Sequence, residues 1–93
     1  MNTMLFGKPV SMPMAIAPTG AAGLCWHEGE LELAKAAAKA KIPFTLATGA
    51  MTSMEKIAQE AGPGVGGRLW FQLYVWNKRE MSYQLIERAH RAG

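Results

Sequence analysis

The sequence predicts an α/β fold, three strand–helix units feeding one parallel sheet, and three observations carry that prediction. Short apolar runs alternate with stretches rich in helix formers. Each run is bounded by Gly, Pro or polar residues and lacks strict apolar–polar alternation, the mark of a strand buried on both faces. The strand–helix pattern returns about every 25 to 30 residues, the length of a βα unit in a parallel sheet.

Each element has its own signal. Met4 to Val10 reads as a short hairpin ahead of the first unit. The first strand is Met14-Ala15-Ile16-Ala17, the second Pro43-Phe44-Thr45-Leu46-Ala47, and the third runs from Leu69 to Val75. From Glu28 to Lys41 the chain is rich in Ala, Leu, Glu and Lys, and Leu31, Ala34 and Ala38 give it a narrow face suited to a sheet. From Ser53 to Ala61, the residues Met54, Ile57, Ala58 and Ala61 share a face, and Thr52 with Glu55 matches a capping box. From Lys78 to Ala92, Met81, Leu85 and Ala89 recur at helical spacing, with Asn77 as the expected N-cap and Glu80 at the positive end of the dipole. Gly62 to Gly67 is a loop by composition.

Composition removes several function classes. The net charge of +3 comes from Lys and Arg interspersed with Glu, so the charges read as solvated helix faces and no basic stripe suits nucleic acid. The single cysteine, Cys25, makes an internal disulfide impossible and suggests a reducing compartment. No run approaches the roughly 18 apolar residues of a membrane span, and the N-terminus lacks a secretory pattern. His27, His90 and Cys25 have no spaced partners for a metal site or a triad. His27 and His90 read as helix-start and surface residues, Cys25 and the methionines as packing. Trp26, Trp70 and Trp76 read as packing beneath loops, with Trp26 also a candidate pocket residue.

Two parallel folds compete. A doubly wound sheet usually carries a glycine-rich phosphate turn after its first strand. Pro18-Thr19-Gly20-Ala21-Ala22-Gly23 is neither GxGxxG nor a P-loop. A (β/α)₈ barrel places its chemistry on the loops after its strands and needs about 250 residues. The 93 residues then hold about the first three of eight units, plus the hairpin, as the N-terminal part of a single domain over residues 1–93. Three strands cannot close a barrel, so the chain is expected to be a fragment.

Candidate site residues lie at the strand ends. Gly20 lets a flat ring approach the backbone, although an ordinary tight turn explains it equally. Gln72 and Tyr74 stand two apart in an apolar run, so they share a face and suggest a common polar ligand unless they satisfy each other internally.

The ordered set Ile16-Ala17-Pro18-Thr19-Gly20, His27-Glu28-Gly29-Glu30, Phe44-Thr45-Leu46-Ala47 and Phe71-Gln72-Leu73-Tyr74-Val75 resembles the FMN-dependent α-hydroxy-acid dehydrogenases. That family includes glycolate oxidase, L-lactate dehydrogenases and (S)-mandelate dehydrogenase. Pro18-Thr19-Gly20 and Trp26 look most like the mandelate dehydrogenase branch. The resemblance implies a (β/α)₈ barrel holding FMN at its C-terminal face. It implies that the backbone of Pro18, Thr19 and Gly20 lies beside the flavin ring, that Gln72 bonds the pyrimidine edge, and that the Tyr74 hydroxyl orients the substrate. The family often has Ser where this chain has Ala47, so one FMN contact is missing, with Thr48 as a stand-in.

The implied reaction oxidises an (S)-2-hydroxy acid of the lactate, mandelate or glycolate class to the 2-oxo acid, with quinone or oxygen as acceptor. The family's histidine base and carboxylate-binding arginines belong to later units, so no catalytic residue is expected here and the chain alone is expected to be inactive. The resemblance further implies a homo-oligomeric, cytoplasmic enzyme, with peripheral contact at the inner membrane face left open. The alternatives are another FMN barrel of the isopentenyl-diphosphate isomerase type and a stand-alone half-barrel that binds or scaffolds.

Overall fold

The computed structural model describes residues 2–62 and 68–93. The expected loop at 62–67 lies outside them except for Gly62. The described residues form a mixed α/β structure. Strands β1 (Thr3–Leu5) and β2 (Lys8–Val10) pair antiparallel, with Met4 opposite Pro9. Phe6 (φ 47°) and Gly7 (φ 74°) supply the two left-handed residues of a tight hairpin turn.

The remaining elements are helix α1 (Gly29–Ala40), strand β3 (Pro43–Leu46), helix α2 (Met54–Ala61), strand β4 (Arg68–Phe71) and helix α3 (Arg79–Ala92). A short 3₁₀ turn at Ala22–Leu24 precedes α1. Strands β3 and β4 run parallel in the register Phe44–Leu69, Thr45–Trp70 and Leu46–Phe71.

The expected first strand at Met14–Ala17 is reduced to a single parallel bridge between Ile16 and Phe44. Ile16 donates to the Pro43 carbonyl (2.9 Å) and accepts from Thr45 N–H (3.1 Å). Pro13 and Pro18 bracket this stretch and have no N–H to extend the ladder. The third strand also ends early. Gln72 N–H still reaches the Leu46 carbonyl at 2.8 Å, but the chain then leaves the ladder.

One face of the sheet carries the core. Leu31, Ala34 and Ala37 of α1, Met54, Ile57 and Ala61 of α2, and Phe44 and Leu46 of β3 form one buried cluster. Ile16, Leu69, Phe71, Leu85 and Ala89 pack at its margin. Burying such side chains is the main favourable contribution to folding, at about 1.5–3 kcal/mol for each large one. The face of α1 falls on Ala37 rather than Ala38, which is half-buried. The face of α3 also differs from expectation: Met81 is exposed, and Ser82 takes the buried position in line with Leu85 and Ala89.

The caps differ too. Ser53, not Thr52, caps α2 by accepting from Lys56 N–H. Lys78, not Asn77, sits at the N-cap of α3, with no side-chain bond. Arg88 of α3 forms a two-pronged bond to Glu55 of α2 (2.8 and 2.9 Å), which holds the Glu55 carboxyl below the usual carboxylate range.

The hairpin belongs to the end of the sheet where the strands begin. Ser11 N–H donates to the Lys41 carbonyl just before β3 (3.1 Å), and the Phe6 ring meets Trp70 edge to face at 5.3 Å. The loops after Ile16, β3 and β4 gather at the opposite end, where a parallel sheet presents its ligand site.

Candidate functional site

Three loops build the site. The first begins with Pro18, Thr19 and Gly20, all exposed. It turns at Ala21 in the left-handed region (φ 54°), and Ala21 N–H reaches the Gly49 carbonyl of the second loop at 3.2 Å. A methyl placed on Gly20 meets only that carbonyl, at 3.7 Å. Gly20 thus offers bare backbone, with no side chain within 4 Å of where a Cβ would stand.

Thr48 joins the second loop to the third. Its hydroxyl donates to the Gln72 carbonyl (2.6 Å) and accepts from Tyr74 N–H (3.2 Å). Thr48 N–H donates to Gln72 Oε1 at 3.1 Å. This last bond fixes the amide's orientation, since only its oxygen accepts. The Gln72 Nε2 donors make no hydrogen bond among the described residues, and the amide oxygen keeps a second lone pair. Thr48, the expected stand-in for a missing Ser, has already given its one proton to Gln72.

Tyr74 lies past the end of β4 at Phe71, so strand periodicity alone does not set its direction relative to Gln72. The residue is 64% exposed. Ser82 Oγ accepts from Trp76 N–H at 3.1 Å and ties the third loop to α3.

Glu30 was read as part of a solvated helix face, and this is corrected: it is 2% exposed. Its Oε1 accepts from Ala22 N–H (3.1 Å) and Met51 N–H (2.9 Å), and Thr52 Oγ1 lies 3.4 Å from Oε2. Burial pushes its pKa up, but the N–H groups of Met51, Glu30 itself and Ala22, with the Thr52 hydroxyl, pull it lower, and the net shift is downward. Nothing in the composition marks Glu30 off from Glu28 or Glu32. The one available signal was its position beside Leu31 in the buried first turn.

Cys25, expected to pack, is exposed, as are His27 and His90. Trp26 is 74% exposed, while Trp76 is 44% exposed and Trp70 is half-buried. No group of three or more His, Cys, Asp or Glu among the described residues is arranged to hold a metal.

Parallel strands β3 and β4, with helices between and after them, define an α/β protein whose exposed loops lie at the strand C-termini, the end at which barrel enzymes place their chemistry. The family model described as FMN-dependent dehydrogenase matches residues 1–93, and the chain belongs to that family. It is 42% identical to the L-lactate dehydrogenase of Ectopseudomonas mendocina (strain ymp), covering all of this chain and 24% of that protein. Among solved structures it is similar to a soluble mutant of the membrane-associated (S)-mandelate dehydrogenase from Pseudomonas putida (42% identity, TM-score 0.89, 99% of this chain and 25% of that one). It is also similar to a mandelate oxidase mutant carrying an FMN adduct (40% identity, TM-score 0.89, 99% of this chain and 26% of that one). The chain spans about a quarter of the length of these relatives.

Proposed function

We propose that these residues form one wall of the flavin pocket in an FMN-dependent enzyme that oxidises an (S)-2-hydroxy acid to the 2-oxo acid. The observation that carries this reading is the Gln72 amide. Thr48 N–H holds its oxygen, which leaves two N–H donors without a hydrogen bond among the described residues just past the end of β4. Such donors suit the carbonyl-bearing pyrimidine edge of a flavin. The open backbone of Pro18, Thr19 and Gly20 fits the approach of a flat ring, since no side chain stands over Gly20.

FMN, when bound, supplies the acceptor for the two electrons that leave the substrate. This chain's own part is to seat and orient. The Pro18–Gly20 backbone lies beside the ring, Gln72 donates to its edge, and the Tyr74 hydroxyl helps orient the substrate carboxylate or hydroxyl. The proton-abstracting base and the arginines that hold the carboxylate come from outside these 93 residues. Similarity to an L-lactate dehydrogenase and an (S)-mandelate dehydrogenase supports lactate or mandelate as substrate class. Quinone or oxygen reoxidises the flavin, and the assembled enzyme is a homo-oligomer.

The cell location we assign is the cytoplasm or the inner face of the membrane. No described helix is long and apolar enough to cross a membrane, and the mandelate dehydrogenase relative is membrane-associated. A stand-alone scaffold fits less well. Leu24, Trp26, Met51, Tyr74 and Val75 are all exposed at the loop end, a concentration of apolar surface expected of a covered site.

Anaerobic addition of L-lactate or (S)-mandelate to the FMN-loaded full-length enzyme tests the reading. Bleaching of the flavin's visible absorbance is expected with one of them, and no bleaching by any 2-hydroxy acid overturns it. The 93-residue chain alone is expected to bind FMN weakly and to bleach with neither.

A further inference from the structure

The strongest feature outside the flavin shelf is a buried carboxylate that no ion pair reaches among the described residues. Glu30 sits in the first turn of α1, yet its oxygens serve two loops that belong to different βα units. Ala22 lies two residues beyond Gly20, and Met51 lies three beyond Thr48. The loops are pressed together at this point. Ala21 N–H reaches Gly49, and the space a Cβ would occupy on Gly29 is filled by the Ala22 carbonyl, 2.5 Å away.

We propose that Glu30 is a positioning residue for the cofactor: its carboxylate sets the spacing between the first two loops, and through them aligns the Pro18–Gly20 backbone with the Thr48–Gln72 clamp. The proposal rests on the flavin reading given above. A buried carboxylate without a cation is tolerated only if hydrogen-bond donors replace its water. Here those donors are backbone N–H groups of the two loops and one loop hydroxyl. The loops and the carboxylate therefore hold one another, and neither loop can shift without stranding the charge. The carboxylate also lies at the N-terminal end of α1, where the helix dipole favours it. A core residue that merely stabilised the fold would have no such tie to both flavin-side loops.

The test is Glu30→Gln in the FMN-loaded full-length enzyme, which removes the charge while leaving an oxygen to face Ala22 and Met51 N–H and an NH₂ group to face the Thr52 hydroxyl. The FMN dissociation constant is expected to rise about tenfold, as both loop hydrogen bonds lose their charge assistance, with a shifted flavin absorbance band. The specific activity is expected to fall mainly in kcat, since the substrate's carboxylate site lies on other residues. Glu30→Asp, which keeps the charge on a shorter arm, is expected to fall between the two. Ala34→Gly, buried in the same helix but away from the loops, controls for stability. It is expected to lower the melting temperature and to leave FMN affinity within about twofold of wild type.

If Glu30→Gln instead keeps FMN affinity and the flavin spectrum within about twofold while losing only stability, the proposal is overturned. Should Glu30→Gln fail to fold, Thr52→Val removes only the donor to Oε2. A two- to threefold weaker grip on FMN, roughly the fraction of a hydrogen bond left at 3.4 Å, then supports the proposal, and an unchanged one overturns it. A wild-type enzyme that binds no FMN at all overturns the flavin reading instead. In that case Glu30→Gln still tests the loop spacing: Ala22 and Met51 amides losing exchange protection together supports it, and either amide staying protected overturns it.

Discussion

Replacing Thr48 with Val keeps the side chain's shape and removes its hydroxyl. The Gln72 carbonyl then loses a donor at 2.6 Å and Tyr74 N–H loses an acceptor at 3.2 Å. Tyr74 is exposed, so water replaces its partner at little cost. Gln72 is half-buried, and its carbonyl bears most of the loss. A net hydrogen bond contributes about 1 kcal/mol, and an unsatisfied half-buried carbonyl costs somewhat more. The net loss is therefore about 1.5 kcal/mol, or roughly a tenfold shift in the folding equilibrium. Urea denaturation followed through the fluorescence of Trp70 and Trp76 reads this as a lower midpoint at unchanged slope. Thr48→Ser, which keeps the hydroxyl, is expected within about 0.5 kcal/mol of wild type. The clamp is refuted if Thr48→Val also stays within that range, or if Thr48→Ser is as unstable as Thr48→Val. The Thr48 N–H that orients the Gln72 amide is kept in Thr48→Val, so FMN affinity should change less than stability.

Other consequences follow from single residues. Glu30 has its pKa lowered in the folded state, so its contribution to stability is present above the ordinary carboxylate range and is lost as pH falls through the folded-state value. Acid unfolding of Glu30→Gln should accordingly be flatter than wild type in that window. Glu28, which pairs with Lys56 beside the same loops, and His27 are left intact in this variant. Gly29→Ala should destabilise strongly, because its new methyl meets the Ala22 carbonyl at 2.5 Å, whereas Gly49→Ala finds nothing within 4 Å and should be near neutral by thermal melting. Gly20→Ala should melt as wild type does, since its methyl meets one carbonyl at ordinary contact distance. Any change it causes in flavin absorbance or affinity then reports a Cβ against the ring. Leu31→Ala, at 1% exposure, should cost about 2–5 kcal/mol in denaturant titrations.

Much of this was legible in the sequence because it depends on local patterns. The helices at 29–40, 54–61 and 79–92 follow from runs of helix formers with apolar spacing, and the hairpin follows from Phe6-Gly7 between short extended segments. What the sequence hid depends on tertiary neighbours. The first strand shrinks to the bridge at Ile16, because a strand's extent is set by the partner that pairs with it, not by its own residues. Thr52 lost the cap to Ser53 because its hydroxyl turned toward Glu30. Tyr74 was aligned with Gln72 by a periodicity that ends where the ladder ends. Glu30 looked like any surface glutamate, since burial of a charge is decided by donors 8 to 22 residues away. Gln72 was named as a candidate site residue, but the orientation of its amide became readable only once Thr48 N–H stood beside it.

Everything said of the cofactor comes down to where the Gln72 amide points when flavin is present, and a crystal structure of the FMN-loaded full-length enzyme measures that directly. The expected result is Gln72 Nε2 about 3 Å from a pyrimidine carbonyl of the flavin, with the ring lying along the backbone of Pro18 to Gly20. A flavin seated elsewhere, or a Gln72 amide turned away from that turn, would contradict it.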